Sequence, residues 1–369
     1  MILFLLLSIL PLISLIISVY NFFTIPRLEN KKFNDDGIKI SVLIPARNEE
    51  ANIDACLNSV CSQNYKNLEI IILDDDSGDN TFSVAEKFSL KDNRVRVIKG
   101  KNLAAGWVGK NWACKQLSDN AQGDFLLFID ADVRLMPEAI ESAMSALEET
   151  NVDMMSVFPK QIMNTTGEKV TVGIITWLML AFLPVKQIYK SKSMRFSGAV
   201  GQFMMWKRES YFRSGGHESV KDKIVEDMET AKFLKRKGFK IILLLSDGLV
   251  QCRMYGSFKE GVDGFTKNAY PSTNSSAAEF FAILFFISAS LLLPLLLAAA
   301  NHLYFYTLAV IILHRIIVSV IYRENILTGI ILYPVQIIVM DYIAIRSYTA
   351  FKKNRLNWKE RNLQKAELT

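Results

Sequence analysis

Histidine and cysteine are scarce, with three and four copies in 369 residues. Cys56, Cys61, Cys114 and Cys252 form no CxxC or Cys/His pattern, so neither a zinc site nor a disulfide framework is encoded. Three histidines also leave little support for a His-based metal site or a Ser-His-Asp triad. The chain lacks GxGxxG and lacks GxxxxGK followed by Ser or Thr, which excludes ordinary dinucleotide and P-loop sites. There is no dense Lys/Arg block interleaved with aromatics, and the net charge of +6 is spread out, so no nucleic-acid partner is expected. Internal repeats and low-complexity linkers are missing too. Carboxylates and main-chain groups must therefore carry the chemistry.

Apolar residues are in excess. Half of the chain is hydrophobic and its mean hydropathy is +0.20, too apolar for a soluble protein of ordinary composition. Ile2 to Phe23 is uncharged and long enough to cross a bilayer. Arg27, Lys31 and Lys32 follow the run instead of preceding it, which argues for an anchor over a cleaved signal peptide. The amino end is then expected outside and the following residues in the cytoplasm, where reduced cysteines also belong. Val170 to Val185 is apolar, with Lys169 before it and Lys186 and Lys190 after it. A crossing there would split one domain across the bilayer, so a helix on the membrane surface near 170–190 is preferred. After Asn274 three further apolar segments follow: Glu279 to Ala300, Leu303 to Tyr322 with His314 and Arg315, and Ile326 to Ile345 with Asp341. Two crossings would keep the basic tail inside and three would put it outside; the sequence leaves the number open.

Between these ends, short apolar runs alternate with helix-like segments, the signature of a parallel α/β sheet. Ile40 to Ile44 ends at Pro45-Ala46-Arg47-Asn48-Glu49-Glu50. Leu68 to Leu73 ends at Asp74-Asp75-Asp76-Ser77-Gly78-Asp79. The run from Phe125 to Ile129 reads as a strand buried on both faces and stops at Asp130-Ala131-Asp132. Each cluster alone reads equally well as a solvated turn. Three on one sheet edge converge on the crevice where open α/β sheets bind ligands. Alternation along an extended backbone lets Asp130 and Asp132 share one hard cation and the diphosphate it carries. Glu226-Asp227 opens a helix through Leu234, a place where an acidic residue is often only a cap.

The four clusters, in this order and spacing over residues 39–268, resemble glycosyltransferase family 2. Further segments resemble its membrane-bound branch of diaponeurosporenoate (carotenoid acid) and hopanoid-associated glycosyltransferases: Gly106 to Ala113, Gly201-Gln202-Phe203-Met204, Gly215-Gly216-His217, Arg253-Met254-Tyr255, Gly264 to Asn268 and Trp358 to Arg361. The resemblance implies a GT-A, Rossmann-like, mostly parallel sheet flanked by helices, with membrane helices at both ends. It implies Pro45, Glu49 and Asp75 around the nucleoside of a UDP-sugar, with Asp74 beside them, and Lys110 near the diphosphate. Asp132 would be the main ligand of Mg²⁺ or Mn²⁺, with Asp130 on the ribose or a metal-bound water. Asp227, beside Glu226, would be the general base, and Gly201, Gln202, Arg253 and Lys267 would lie on the acceptor or phosphate side. The QxxRW motif of processive synthases is absent, and Asp76 stands where the family usually has glycine, so a different turn is expected there.

The implied domains are an anchor over 1–24, a catalytic domain over 38–275, membrane helices over 276–346 and a basic cytoplasmic tail over 347–369. The implied reaction is inverting transfer of a sugar, with glucose the expected one, to a lipophilic acceptor at the cell membrane. A carotenoid acid, hopanoid, polyprenyl phosphate or diacylglycerol all fit, and Met154, Met155, Met179, Met204, Met205 and Met228 offer an adaptable apolar groove. A haloacid-dehalogenase phosphatase is disfavoured by Arg134 two residues after the second Asp. A non-catalytic membrane scaffold would be favoured by loss of a catalytic carboxylate, and none is lost. Sugar, acceptor, preferred metal and oligomeric state are not encoded legibly.

Overall fold

The structure is a computed structural model and describes residues 1–34, 37–273, 275–359 and 361–363. Glu360 of the Trp358 to Arg361 motif and the last six residues of the basic tail lie outside that description. The chain forms two compact units: Pro26–Ile162, Gln187–Arg253 and Lys359–Thr369 in one, and Met1–Ile25, Met163–Lys186 and Met254–Trp358 in the other.

The first unit is built on strands β1 (Arg27–Leu28), β2 (Ile40–Ala46), β3 (Leu68–Asp74), β4 (Val95–Lys99), β5 (Phe125–Ile129), β6 (Val133–Leu135), β7 (Met154–Phe158), β8 (Lys160–Gln161), β9 (Phe203–Lys207), β10 (Ile241–Ser246) and β11 (Val250–Cys252). Eight of them form one sheet in the order β1-β10-β7-β9-β5-β2-β3-β4. β2 pairs in parallel with both β3 and β5, so these three strands end on one edge, as their apolar runs and acidic ends predict. β9 runs antiparallel to both of its neighbours, β5 and β7, the one reversal in an otherwise parallel sheet. Val42, Ile44, Ile70, Ile72 and Leu126 are fully buried, which is why these strands read as continuous apolar runs instead of alternating ones. Pro45 has no N–H to give a ladder. It falls beyond Leu43, the last residue of β2 to pair with β5, so no bond on that side is lost. A second sheet places β11 between β6 and β8 and sets Cys252 opposite Val133.

The second unit is helical. Ile2–Thr24, Ala277–Leu297 and Tyr304–Tyr322 are the three helices, among the described residues, long and apolar enough to cross a membrane. The first is built inside out. Its buried residues are Leu7, Pro11, Ser14, Ser18 and Asn21, spaced by four and three along one stripe. Leu5, Ile9, Leu12, Ile16 and Phe23 are exposed. Small and polar residues at helix contacts with large apolar ones facing outward suit a hydrocarbon solvent, where association relies on close packing and hydrogen bonds. Ser18 Oγ meets His314 Nδ1 at 2.7 Å, and Trp177 Nε1 donates to His314 Nε2 at 2.9 Å. Asn21 donates to the carbonyls of Leu180 and Leu183 and accepts from Val185 N–H. Inside the bundle both His314 ring nitrogens have partners, and Arg315 bonds the Gly329 carbonyl and the Gln336 side chain while its Nη1 is left without one. The segment expected as a further span, Ile326 to Ile345, is two helices, Ile326–Ile331 and Tyr333–Lys352, interrupted at Leu332 just before Pro334. Proline has no N–H to bond back into the preceding turn and is at home in a helix's first turn, so it ends one helix and starts the next.

Gly123 lets β5 start against β2. Its N–H donates to Ser41 Oγ at 2.8 Å, and a Cβ there would lie 2.6 Å from Ser41 N and 2.8 Å from the Lys39 carbonyl oxygen. Gly123→Ala is therefore expected to destabilise the sheet by about 1–3 kcal/mol, read as a lower thermal unfolding midpoint of the detergent-solubilised protein. An unchanged midpoint would show that this strand start yields without cost.

Candidate active site

Three main-chain devices deliver the acidic side chains to the shared edge of β2, β3 and β5. At the end of β3, Asp75 N–H donates to the Ala46 carbonyl at 2.8 Å and fastens the β3 turn to β2. Asp76 then takes φ +59°. This left-handed conformation is the one glycine would supply, and a short polar residue tolerates it at a cost of about 1–2 kcal/mol. Asp76 thus holds a positive φ without being glycine. At the end of β5, Asp130 N–H reaches the Gln202 carbonyl at 3.4 Å and Val133 N–H returns to the Asp130 carbonyl at 3.1 Å. That tight turn sets Asp130 and Asp132 on the edge before β6 begins.

The helix Gly109–Asn120 places Lys110 in its first turn. Its ammonium lies 2.8 Å from Asp130 Oδ1 and 2.9 Å from Glu226 Oε1. Burial disfavours that charge, but the two carboxylates hold the Lys110 pKa well above its ordinary value. The helix Glu226–Arg236 begins with Glu226 and Asp227 in its first turn, and its N-cap, Val225, has no side-chain oxygen to cap with. Asp227 does not act as the N-cap. It accepts the N–H of Met228 at 2.7 Å and, with its other oxygen, the N–H of Gly201 at 2.9 Å. Gly201 has no room for a side chain: a Cβ would sit 2.9 Å from Lys110 Nζ and 3.2 Å from Glu226 Oε1.

These neighbours drive the adjacent carboxylates apart. Burial pushes Glu226 upward, but Lys110 more than offsets it and leaves Glu226 below its ordinary value. Burial and the Glu226 charge push Asp227 up to about 6, against the pull of Lys110. Asp132 is raised further, to about 7, by burial and then by the Asp130 and Glu49 carboxylates. Its Oδ1 is buried with no hydrogen-bond partner. Two adjacent carboxylates with opposite shifts, beside a third that keeps one oxygen unpartnered, form an arrangement suited to proton transfer and cation binding.

Around this centre, Gln202 is buried, donates to Cys252 Sγ at 2.9 Å and accepts from Gln161 Nε2 at 3.2 Å. Arg253 is exposed, and its N–H points to the Asp132 carbonyl at 3.4 Å. Asp74 is buried at the end of β3, with one oxygen accepting from Ser77 N–H at 3.4 Å and the other unpartnered. Glu49 accepts from Asn52 Nδ2 at 2.9 Å and pairs with Lys359, while Asp75 pairs with Arg361. Lys267, grouped with these residues by resemblance, belongs to the helical unit, where its ammonium lies 3.5 Å from the centre of the Trp358 ring. The two C-terminal cations, and Arg47 beneath them, went unassigned from sequence. Pairs formed across about three hundred residues leave no periodicity or spacing to read. His217 is buried, with Nδ1 2.8 Å from the Tyr211 hydroxyl, and burial lowers its pKa to about 4, so it is a neutral core group.

Residues 41–213 match Glycosyl transferase family 2. A 4,4'-diaponeurosporenoate glycosyltransferase of Staphylococcus haemolyticus is 28% identical over 261 residues, 70% of this chain and 68% of that protein. One from Staphylococcus aureus is 25% identical over 246 residues, 66% of this chain and 64% of that protein, just under two thirds of its length. Among solved structures, a mannosyltransferase from Pyrobaculum calidifontis in complex with GDP-Man and Mn²⁺ aligns with a TM-score of 0.53 over 94% of this chain and 98% of that one. At 14% identity it speaks for the fold alone. Residues 41–213 thus carry a segment that matches Glycosyl transferase family 2, on a sheet whose fold is shared with a solved glycosyltransferase of GT-A type.

Proposed function

We propose that the protein moves a sugar, with glucose the first to test, from a UDP-sugar to a lipophilic, membrane-resident acceptor such as a carotenoid acid, with inversion at the anomeric carbon. The observation that carries the reading is the edge of β5. There a raised carboxylate (Asp227), a lowered one (Glu226), a shared ammonium (Lys110) and a carboxylate with one buried, unpartnered oxygen (Asp132) lie within one cluster. The carotenoid-acid substrate named for the staphylococcal relatives supports the acceptor class.

In this reading Pro45, Glu49, Asp74 and Asp75 line the nucleoside, and the Lys110 ammonium meets the diphosphate. Gly201 and Gln202 shape the acceptor or phosphate side, with Arg253 beside Asp132 and Lys267 assigned there by resemblance. A divalent cation fits the donor set. Among the described residues no three His, Cys, Asp or Glu side chains form a cage, but Mg²⁺ commonly takes one or two carboxylates and completes its shell with substrate phosphates and water. Asp132, with its unpartnered oxygen and Asp130 beside it, would hold Mg²⁺ or Mn²⁺ in that way. The ion would supply neutralisation of the leaving diphosphate, so no general acid is needed.

Asp227 takes the proton from the acceptor oxygen. Lipophilic surroundings keep a carboxylic acid protonated well above its aqueous pKa, so an acid as well as a hydroxyl has a proton to give. The Gly201 and Met228 N–H groups fix the direction of the carboxylate. Lys110 keeps Glu226 ionised, and that charge holds Asp227 basic enough to accept a proton near neutral pH.

The chain is further proposed to be a multi-pass protein of the cell membrane with its catalytic part in the cytoplasm. The domains in this reading are the anchor 1–24, the catalytic segment 38–275 with the helix near 170–190 at the membrane surface, the membrane helices 276–346 and the tail 347–369. Three crossings in total, one at the amino end and two after residue 276, match the three helices of sufficient length and return the basic tail to the cytoplasm.

UDP release by detergent-solubilised protein, given UDP-sugars and membrane lipid extract, tests the whole reading. Release is expected to depend on lipid and on Mn²⁺, to stop with EDTA, and to fall at least about 100-fold in Asp227→Asn. Release insensitive to that change would remove Asp227 as the base. The pH dependence has a definite sign. Asp227 is protonated below its pKa, so turnover is lost as pH falls through about 6, with a limb of about tenfold per pH unit below it. A limb near 4, or none, would contradict the role. Asp132→Asn is expected to abolish metal-dependent release while leaving the thermal midpoint unchanged or higher, because it removes a buried charge. Full activity of that variant in Mn²⁺ would place the cation elsewhere.

A further inference from the structure

The donor side of the edge is acidic, carrying Glu49, Asp74, Asp75, Asp76 and Asp79 on two adjoining turns. A nucleoside diphosphate brings more negative charge to it. The positive charge already on these turns comes from Arg47 and from the C-terminal segment of the chain. Arg361 pairs with Asp75 and donates a second bond to the Asp75 carbonyl at 3.2 Å. It also lies 3.6 Å from Asp76. Lys359 pairs with Glu49 and approaches the Asn48 carbonyl at 3.4 Å. The main chain is anchored as well: Arg47 Nε donates to the Lys359 carbonyl at 3.0 Å, while its Nη1 binds the carbonyls of Asp75 and Asp76. Arg361 fills the space over Gly109, where a Cβ would lie 2.9 Å from its Nη1 and 3.3 Å from Asp75 Oδ2. Gly109 adjoins Lys110, so the guanidinium sits between the β3 turn and the helix that presents the Lys110 ammonium.

We propose that Lys359 and Arg361 are positioning residues of the donor site: they hold the Glu49 and Asp75 carboxylates in place and bring two cations to an acidic edge, so that a nucleoside diphosphate binds well only when the C-terminal segment is docked. The inference rests on the donor reading given above. It is favoured over a plug that the nucleotide displaces, because the exchange would be unfavourable. Asp75 is 5% exposed, and its charge is satisfied by a guanidinium; a uracil imide offers only a neutral N–H in return. Retaining both partners is the better solution. Arg361 engages Asp75 Oδ2 and leaves Oδ1 to accept from the imide. A guanidinium beside a carboxylate also presents donors next to an acceptor, the complement of the carbonyl–NH–carbonyl edge of uracil.

Calorimetric titration of UDP with Mn²⁺ into the full-length, detergent-solubilised protein tests this, alongside donor KM and kcat. Arg361→Ala and Lys359→Ala are expected to weaken UDP about tenfold or more and to raise donor KM by a similar factor with kcat little changed. Arg361→Lys should recover part of the loss, which separates positioning from a folding defect, and exposed Lys353→Ala should match wild type. Unchanged UDP affinity in Arg361→Ala and Lys359→Ala overturns the proposal and leaves the donor reading standing. Tighter binding in those variants also overturns it, in favour of a displaceable plug. A wild-type protein that binds no uridine nucleotide sinks the donor reading and this inference together.

Discussion

A single ammonium group joins the parts of the site. Lys110 reaches the turn after β5 through Asp130 and the helix Glu226–Arg236 through Glu226, two elements about a hundred residues apart in sequence. Removing it would leave two buried or half-buried carboxylates facing each other with nothing between them, a costly arrangement in a low-dielectric setting. Gly201 is bare because the ammonium needs the space, and Asp227 points where it does because Gly201 N–H holds it. The sheet supplies a rigid edge; the charge fixes which side chains face one another across it.

The edge also shows how one environment sets two adjacent carboxylates to different tasks. Glu226 has the ammonium and stays ionised. Asp227 has its neighbour's negative charge and is pushed toward neutrality. The difference lies in which neighbour each side chain faces at a helix start. Asp132 carries the same logic further, being buried among like charges with one oxygen unpartnered, a strained condition that a cation relieves.

Much of this was legible in the sequence where the physics is local. Ile40–Ala46, Leu68–Asp74 and Phe125–Ile129 announce themselves because strands buried on both faces need uninterrupted apolar side chains, and their acidic ends break that pattern abruptly. The reversal of β9 was not legible, since Phe203–Lys207 is mostly apolar like the strands on either side and strand direction leaves no composition signal. The turn at Asp76 was not legible either, because a residue other than glycine gives no sign of the positive φ that it takes up there. Lys359 and Arg361 were visible as part of the Trp358 to Arg361 segment and of a basic tail, with no role attached. Their carboxylate partners are 310 and 286 residues away, and no local rule connects them.

The polar stripe on the first helix has a consequence for biosynthesis. Ser18 finds its imidazole partner 296 residues later in the chain. At roughly 5–20 residues per second, the ribosome needs on the order of 15–60 s to deliver it. Through that interval the leading segment, taken as inserted early, must stay in lipid on the strength of its leucines, isoleucines and phenylalanines alone. Its serines meanwhile keep only their bonds to carbonyls of the same helix, and Asn21 lacks the Leu180, Leu183 and Val185 partners it has in the finished bundle. The late segment bearing His314 and Arg315 is the poorer candidate for independent insertion, and the waiting stripe gives it a prepared place to dock. Assembly of the bundle is therefore a closing step of translation, made after most of the sheet-bearing unit has left the ribosome.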